Sequence, residues 1–142
     1  MPTRRSSAKW EGGLKTGKGT FKGESGAIGG QYSFSSRFEN GVGSNPEELL
    51  AAAEAACFSM ALSGSLEKNG TPPTSIETNA ACTVEAGASG FGITSIALDV
   101  SAVVPGIDDT AFQKIVADTL KGCPVSKTFN ESVKLTANAK LA

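Results

Sequence analysis

The sequence predicts an α+β fold, in which an antiparallel-rich sheet packs against a long central helix. Three observations lead to it: glycine-rich β-like runs fill the first third, one long alanine-rich helix follows, and strand, strand, helix and strand complete the order. This order lacks the regular βαβ alternation of a doubly wound fold. The 142 residues are expected to form a single domain, residues 1–142, long enough for a hydrophobic core.

Short β-like runs between residues 8 and 42 predict an antiparallel meander at the start of the chain. Their sequences are AKWEG, GTFKG and QYSFSSRFE, and glycines separate them. The last run places Arg37 between Phe34 and Phe38. A strand there could aim the arginine toward either face, so its direction stays open.

The segment SNPEEL is the strongest helix start in the chain. Pro46 suits the first helical position, a capping asparagine precedes it, and two glutamates place negative charge in the first turn. The helix is predicted to run to about residue 68, where Gly70 ends it. Few polar residues interrupt it after Glu54, so it is expected to be buried nearly all round, against a copy of itself in a dimer.

The second half of the chain alternates in a way that predicts a compact sheet with one helix. Period-two alternation indicates strands over residues 76–85, 94–104 and 132–142, and helical spacing indicates a helix over 109–122. The segment CPVSKTF is then expected to form a short helix with Cys123 as its N-cap.

Composition and charge exclude several function classes. The net charge is −1 with both signs interspersed, which gives no indication of nucleic acid or a membrane surface as a partner. No apolar stretch has the length expected of a membrane span, and the first residues lack the apolar core of an export signal. Three cysteines that form no C-x-x-C pair are typical of a cytoplasmic protein with free thiols.

The chain has no histidine. This excludes Cys–His and Ser–His nucleophile pairs and nearly every zinc site. Any reactive cysteine must therefore be activated by another group.

The three cysteines carry different expectations. Cys82 lies on the inward face of a predicted strand and is interpreted as a small apolar core residue. Cys123 as an N-cap would meet free N–H groups that favour a thiolate, so structural and functional roles both stay open for it. Cys57 lies in mid-helix, where packing is the default unless a cation such as Arg37, held by a carboxylate, activates it.

Several segments together resemble one family. They are WEG, GKGT, SRFE, NPEEL, AACFSMAL, TPPTSI, VPGID and GCPVS. In this order they resemble the OsmC (osmotically inducible protein C) branch of the OsmC/Ohr family over nearly the whole chain. The resemblance implies a thiol-dependent peroxidase that reduces organic hydroperoxides in oxidative and osmotic stress, with an OsmC-like two-layer fold in an intertwined homodimer.

The resemblance also implies roles for four residues. Cys57 matches the family's peroxide-reacting cysteine, and Cys123 matches the resolving cysteine that forms a disulfide with it. Arg37 matches the arginine that stabilises the thiolate, and Glu47 matches the carboxylate that orients the arginine. An external dithiol, such as that of a lipoylated protein, is the implied reductant. The resemblance implies no metal and no bound organic cofactor.

Helix length adds one expectation of its own. Glu47 and Cys57 are ten residues apart on one predicted helix, which is about 15 Å along the axis. They cannot share a site within one straight helix, so Glu47 is expected to act on the Cys57 of the other protomer across a two-fold axis. A site beside this helix is hypothesised to favour hydroperoxides with an apolar tail. The candidate lining residues are Phe34, Phe38, Phe58 or Met60.

Two alternative roles of the cysteines stay open. One is a dithiol redox sensor or stress-binding protein that forms the same disulfide but turns over poorly. The other is a structural dimer in which the cysteines are incidental.

Overall fold

The computed structural model describes all residues, Met1–Ala142, and contains six strands, three helices and one 3₁₀ turn. By contacts the chain divides into two compact units, Met1–Leu49 (unit 1) and Leu50–Ala142 (unit 2). The strands are β1 Ser6–Glu11, β2 Lys18–Gly23, β3 Gly29–Tyr32, β4 Ser75–Gly87, β5 Gly90–Val103 and β6 Lys134–Leu141. The helices are α1 Phe34–Phe38, α2 Pro46–Lys68 and α3 Asp109–Gly122, and the 3₁₀ turn is Ser126–Thr128.

Unit 1 is a three-stranded antiparallel meander followed by the short helix α1. Its strand order is β1-β2-β3, as the sequence predicts. Trp10 and Phe21 both approach the ring of Tyr32, with centroid distances of 5.4 and 6.0 Å. No apolar side chain in this unit is fully buried, so its sheet has aromatic contacts but no core of its own.

Unit 2 contains the second sheet, in the order β4-β5-β6. The β4–β5 pair is antiparallel with a register shift at Thr83/Val84, whereas β5 and β6 run parallel. A parallel pair needs a crossover connection, and α3 lies within it. Three of the four strand pairings in the chain are antiparallel, which agrees with the predicted α+β class.

The hydrophobic core lies entirely in unit 2. The predicted inward face of β5 is confirmed, and so are the buried positions Phe112 and Val116 of α3. Asp108 caps α3 through a hydrogen bond from the backbone N–H of Ala111. The buried apolar core residues are Phe58, Leu62, Leu66, Ile96, Leu98, Val100, Ala102, Val104, Phe112, Val116 and Ala139.

Helix α2 has the predicted bounds, but the prediction that it is buried nearly all round is wrong for the single chain. Only 22% of its most apolar 18-residue stretch is buried, and Met60 is 81% exposed. Gly70 follows the helix with a φ of +81°, which ends it as predicted. By length and composition α2 could cross a membrane, so the expectation that no apolar stretch has that length is wrong; core helices of water-soluble proteins have the same properties. The absence of a membrane partner and the single domain stay predictions.

Two local predictions are wrong. The residues around Arg37 form helix α1 rather than a strand, because Ser33 and Ser36 make reciprocal cap hydrogen bonds that start a helix. Cys123 is the C-cap of α3 rather than the N-cap of a new helix, and its N–H donates to the carbonyl of Thr119. The 3₁₀ turn begins three residues later, at Ser126.

Candidate active site

Unit 1 contains an arginine–carboxylate pair. Arg37 stands in the last turn of α1, and Glu47 in the first turn of α2. The Arg37 Nη2 donates to Glu47 Oε1 at 2.7 Å, and its Nε faces both carboxylate oxygens at 3.1 and 3.3 Å. The Glu47 side chain is 8% exposed and that of Arg37 is 37% exposed. The buried carboxylate therefore fixes the arginine by a fork of charge-assisted hydrogen bonds and leaves part of the cation accessible.

Polar side chains fix the two helix ends that carry this pair. The Ser36 hydroxyl donates to the carbonyl of Ser44, and the side-chain amide of Asn45 donates to the carbonyl of Ser36. Asn45 also accepts from the N–H of Glu48, which confirms it as the helix cap. These bonds join the end of α1 to the start of α2, so they fix the two helix ends that carry the ion pair.

Unit 2 contains the other two candidate residues. Cys57 lies in mid-α2 and is half-buried, and Cys123 lies at the end of α3 and is fully buried. Both are free thiols, and their sulfur atoms are 2.9 Å apart, with Cys123 as donor. Sixty-six positions separate them along the chain. Cys82 is half-buried on β4 against the core, in agreement with a packing role.

The surroundings of Cys57 within this chain oppose its ionisation. Burial raises the pKa of the Cys57 thiol above its usual value, and the hydrogen bond that it shares with Cys123 raises it further. The backbone N–H of Val125 lowers this pKa, while electrostatic interactions with Cys123 and Glu54 add to the rise. Unit 2 has no arginine. No cation is among the groups that shift the pKa of Cys57, and an efficient thiolate needs one nearby.

Sequence reasoning missed Glu54 and Ser126. Glu54 is fully buried one helical turn before Cys57, and the Ser126 hydroxyl donates to its Oε1. Its Oε2 is buried without a hydrogen-bond partner. A lone glutamate among alanines, three residues before a cysteine on the same helix, was the available signal.

No group of three or more Cys, Asp and Glu side chains is arranged to hold a metal ion.

Comparison with known proteins assigns the family. The family model described as OsmC-like protein matches residues 39–138. The chain is 46% identical over 138 residues to proteins named Peroxiredoxin OsmC from Escherichia coli (strain K12) and Shigella flexneri, covering 96% of each chain.

Solved structures show the same fold. The organic hydroperoxide resistance protein OhrB of Bacillus subtilis superposes with a TM-score of 0.75 at 23% identity, covering 96% of this chain and 98% of that one. The OsmC-like protein of Mycoplasma pneumoniae superposes with a TM-score of 0.76 at 16% identity, covering 99% of this chain and 98% of that one. With the family match and the 46% identity, these findings establish that the chain belongs to the OsmC-like family and is a peroxidase.

Proposed function

We propose that this peroxidase reduces organic hydroperoxides to alcohols, with Cys57 as the reactive cysteine and Cys123 as the resolving one. The observation that carries the proposal is the 2.9 Å contact between the two free sulfur atoms. If these two cysteines served only as small core residues, any small apolar side chain would fill their positions. The contact between their sulfur atoms therefore supports a joint chemical role. The names of the relatives, Peroxiredoxin OsmC and organic hydroperoxide resistance protein, agree with this chemistry.

The reaction has three steps. The Cys57 thiolate attacks one peroxide oxygen, the O–O bond breaks, and the leaving alkoxide takes up a proton to become the alcohol. Cys57 is left as a sulfenic acid, and the Cys123 thiol condenses with it to form a disulfide and water. An external dithiol then reduces the disulfide by two successive thiol–disulfide exchanges.

Arg37 is the proposed activator of Cys57. A guanidinium is a cation whose planar fork can face both a thiolate and the peroxide oxygens. Glu47 and Cys57 are ten residues apart in the continuous helix α2, a rise of about 15 Å. We therefore propose a homodimer in which the Arg37–Glu47 pair of each protomer serves the Cys57 of its partner. The exposed apolar surface of α2, including Met60, supports burial against a second copy.

Substrates with an apolar tail are the proposed preference. Phe34 and Phe38 flank Arg37 on α1, with ring centroids 5.0 Å apart, and Met60 is exposed on α2. Phe58, a candidate from the sequence, is fully buried in the core and lines no open surface. Cumene hydroperoxide is therefore expected to react faster than hydrogen peroxide, and equal second-order rates would contradict this preference.

One experiment tests the central proposal. The reduced protein is mixed with cumene hydroperoxide in a stopped-flow instrument, and the product disulfide is located by mass mapping. A Cys57–Cys123 disulfide is expected. With excess external dithiol present, the Cys123→Ser variant should consume one equivalent of peroxide and then stop, since no resolving thiol remains, whereas the unchanged protein should continue to turn over. A disulfide that excludes either cysteine, or incidental oxidation of Cys82 alone, contradicts the mechanism.

The raised pKa of Cys57 in the single chain favours one second candidate, a dithiol redox sensor that turns over poorly. Such a protein would form the same disulfide slowly, and dithiols would reduce it sluggishly. Steady-state turnover with a lipoyl dithiol as reductant separates the two functions. A cytoplasmic location and a role in oxidative and osmotic stress complete the proposal.

A further inference from the structure

Glu54 occupies an unusual position in unit 2. Its side chain has no exposed surface, although it is an acidic group in the alanine-rich part of α2. It takes part in no salt bridge, and its one hydrogen bond comes from the hydroxyl of Ser126. Its second oxygen is buried without a partner. A buried acidic group is costly, so packing alone does not account for a glutamate here.

The partner of Glu54 belongs to the segment that carries the second thiol. This segment, Cys123–Ser126, makes three contacts with a single turn of α2. The sulfur of Cys123 donates to that of Cys57, the N–H of Val125 faces the sulfur of Cys57, and the hydroxyl of Ser126 donates to Glu54. Glu54 and Cys57 are three residues apart, so both side chains lie on the same face of the helix.

We infer that Glu54 and Ser126 form a clamp that positions the Cys123–Ser126 segment for the resolution step. The clamp fixes the segment at its far end, three residues beyond Cys123. The 3₁₀ turn begins at Ser126, so the hydrogen bond of this hydroxyl holds the segment at the point where the chain turns. The hydrogen bond between Glu54 and Ser126 does not involve the reacting sulfur, so both are positioning residues.

The clamp favours the productive one of two competing reactions. Once Cys57 is a sulfenic acid, the Cys123 thiol can attack its sulfur, forming the S–S bond and releasing water. A second hydroperoxide can instead oxidise the sulfenic acid to the sulfinic acid, with cleavage of the O–O bond and release of an alcohol. The first path needs Cys123 close to Cys57, whereas the second needs only peroxide. A looser segment therefore shifts the products toward the sulfinic form.

This inference rests on the proposed function, and the product ratio tests it. Reduced protein is treated with graded cumene hydroperoxide, and the sulfinic and disulfide forms are counted by intact mass. Ser126→Ala and Glu54→Ala are expected to raise the sulfinic-to-disulfide ratio at least about tenfold, as loss of a hydrogen bond to an acidic group typically does to an equilibrium. Glu54→Gln and Ser126→Thr keep an acceptor and a hydroxyl, and both are expected to stay within about threefold of the unchanged protein.

Matched controls separate the clamp from a general loss of structure. Glu67→Ala removes an exposed glutamate from the same helix, and Ser132→Ala removes an exposed serine beyond the 3₁₀ turn. Both should leave the ratio unchanged. An unchanged ratio in Ser126→Ala, or an equal rise in the controls, overturns the inference. If Glu54→Ala does not fold, Ser126→Ala decides, because it removes only one hydroxyl group.

A second measurement keeps the inference independent of peroxide reactivity. Diamide oxidises dithiols in two steps: one thiolate adds to its N=N bond, and the second thiol displaces the hydrazine as the disulfide forms. If the protein forms the Cys57–Cys123 disulfide with diamide but ignores hydroperoxides, the proposed function fails. In that case the clamp is supported only if Ser126→Ala slows the second diamide step about tenfold. It is contradicted if the rate of that step is unchanged.

Discussion

The two units of the chain divide the proposed chemistry in a revealing way. Unit 1 holds the charges, in the Arg37–Glu47 pair, but has no fully buried apolar side chain. Unit 2 holds the thiols and the whole hydrophobic core. The thiols thus lie in the unit with the packed core, which tolerates little displacement, while the arginine lies in the last turn of the short helix α1. Unit 1 has no cysteine, and unit 2 has no arginine.

The largest expected effect comes from removing the nucleophile in unit 2. Cys57→Ser should lower hydroperoxide consumption by at least about a thousandfold, because a serine hydroxyl is a far weaker nucleophile at neutral pH. Steady-state peroxide consumption measures it. The matched control is Cys82→Ala, which removes a half-buried thiol of β4 and should retain activity. Comparable losses in both variants would mean that the cysteines act through structure alone.

The second effect tests whether stability resides in unit 2. Phe112 is fully buried in the core, and Phe112→Ala should lower the free energy of unfolding by about 3–5 kcal/mol. Phe21 is only half-buried in unit 1, so Phe21→Ala should lower it by less. Urea denaturation followed by circular dichroism provides both values. A larger loss for Phe21→Ala would reverse the assignment of the core.

The third effect concerns the cation of unit 1. Arg37→Ala should lower the second-order rate with hydroperoxide about a hundredfold and move the pH profile of that rate to higher pH, because the thiolate loses its counter-charge. Arg37→Lys should recover only part of the rate, since a lysine cannot make the fork to Glu47. Lys15 also lies in unit 1, near the ring of Phe34, and Lys15→Ala is the control. A rate unchanged in Arg37→Ala would remove unit 1 from the mechanism.

The smallest effect concerns the pKa of Cys57. The negative charge of Glu54 is the smallest of the effects that raise that pKa, so Glu54→Gln should lower it slightly. The thiolate is the reactive form, and its fraction rises as the pH passes the pKa. The pH profile of the reaction with a thiol-specific alkylating reagent should therefore move to lower pH. A shift to higher pH would contradict the charge effect.

Local signals in the sequence predicted helix boundaries correctly where one residue strongly favours a particular backbone conformation. Pro46 and Gly70 bounded α2, and α3 begins at the predicted residue 109. They failed near Arg37 because two serines formed a cap that outweighed the alternation of aromatic residues. They failed at Cys123 because the proline after it marks the end of one helix as readily as the start of another.

The amino-acid sequence by itself determined the α+β class, the main elements, the absence of histidine and the four residues that match the family motifs. These follow from local backbone preferences and from residue identity, which are present in any short window of the chain. The resemblance already implied the pairs Cys57 with Cys123 and Arg37 with Glu47, and the tertiary structure provides their contacts. Only the tertiary structure decided that Glu54 meets Ser126. Such contacts join residues up to 72 positions apart, and their geometry is set by packing of the core, which no local pattern encodes.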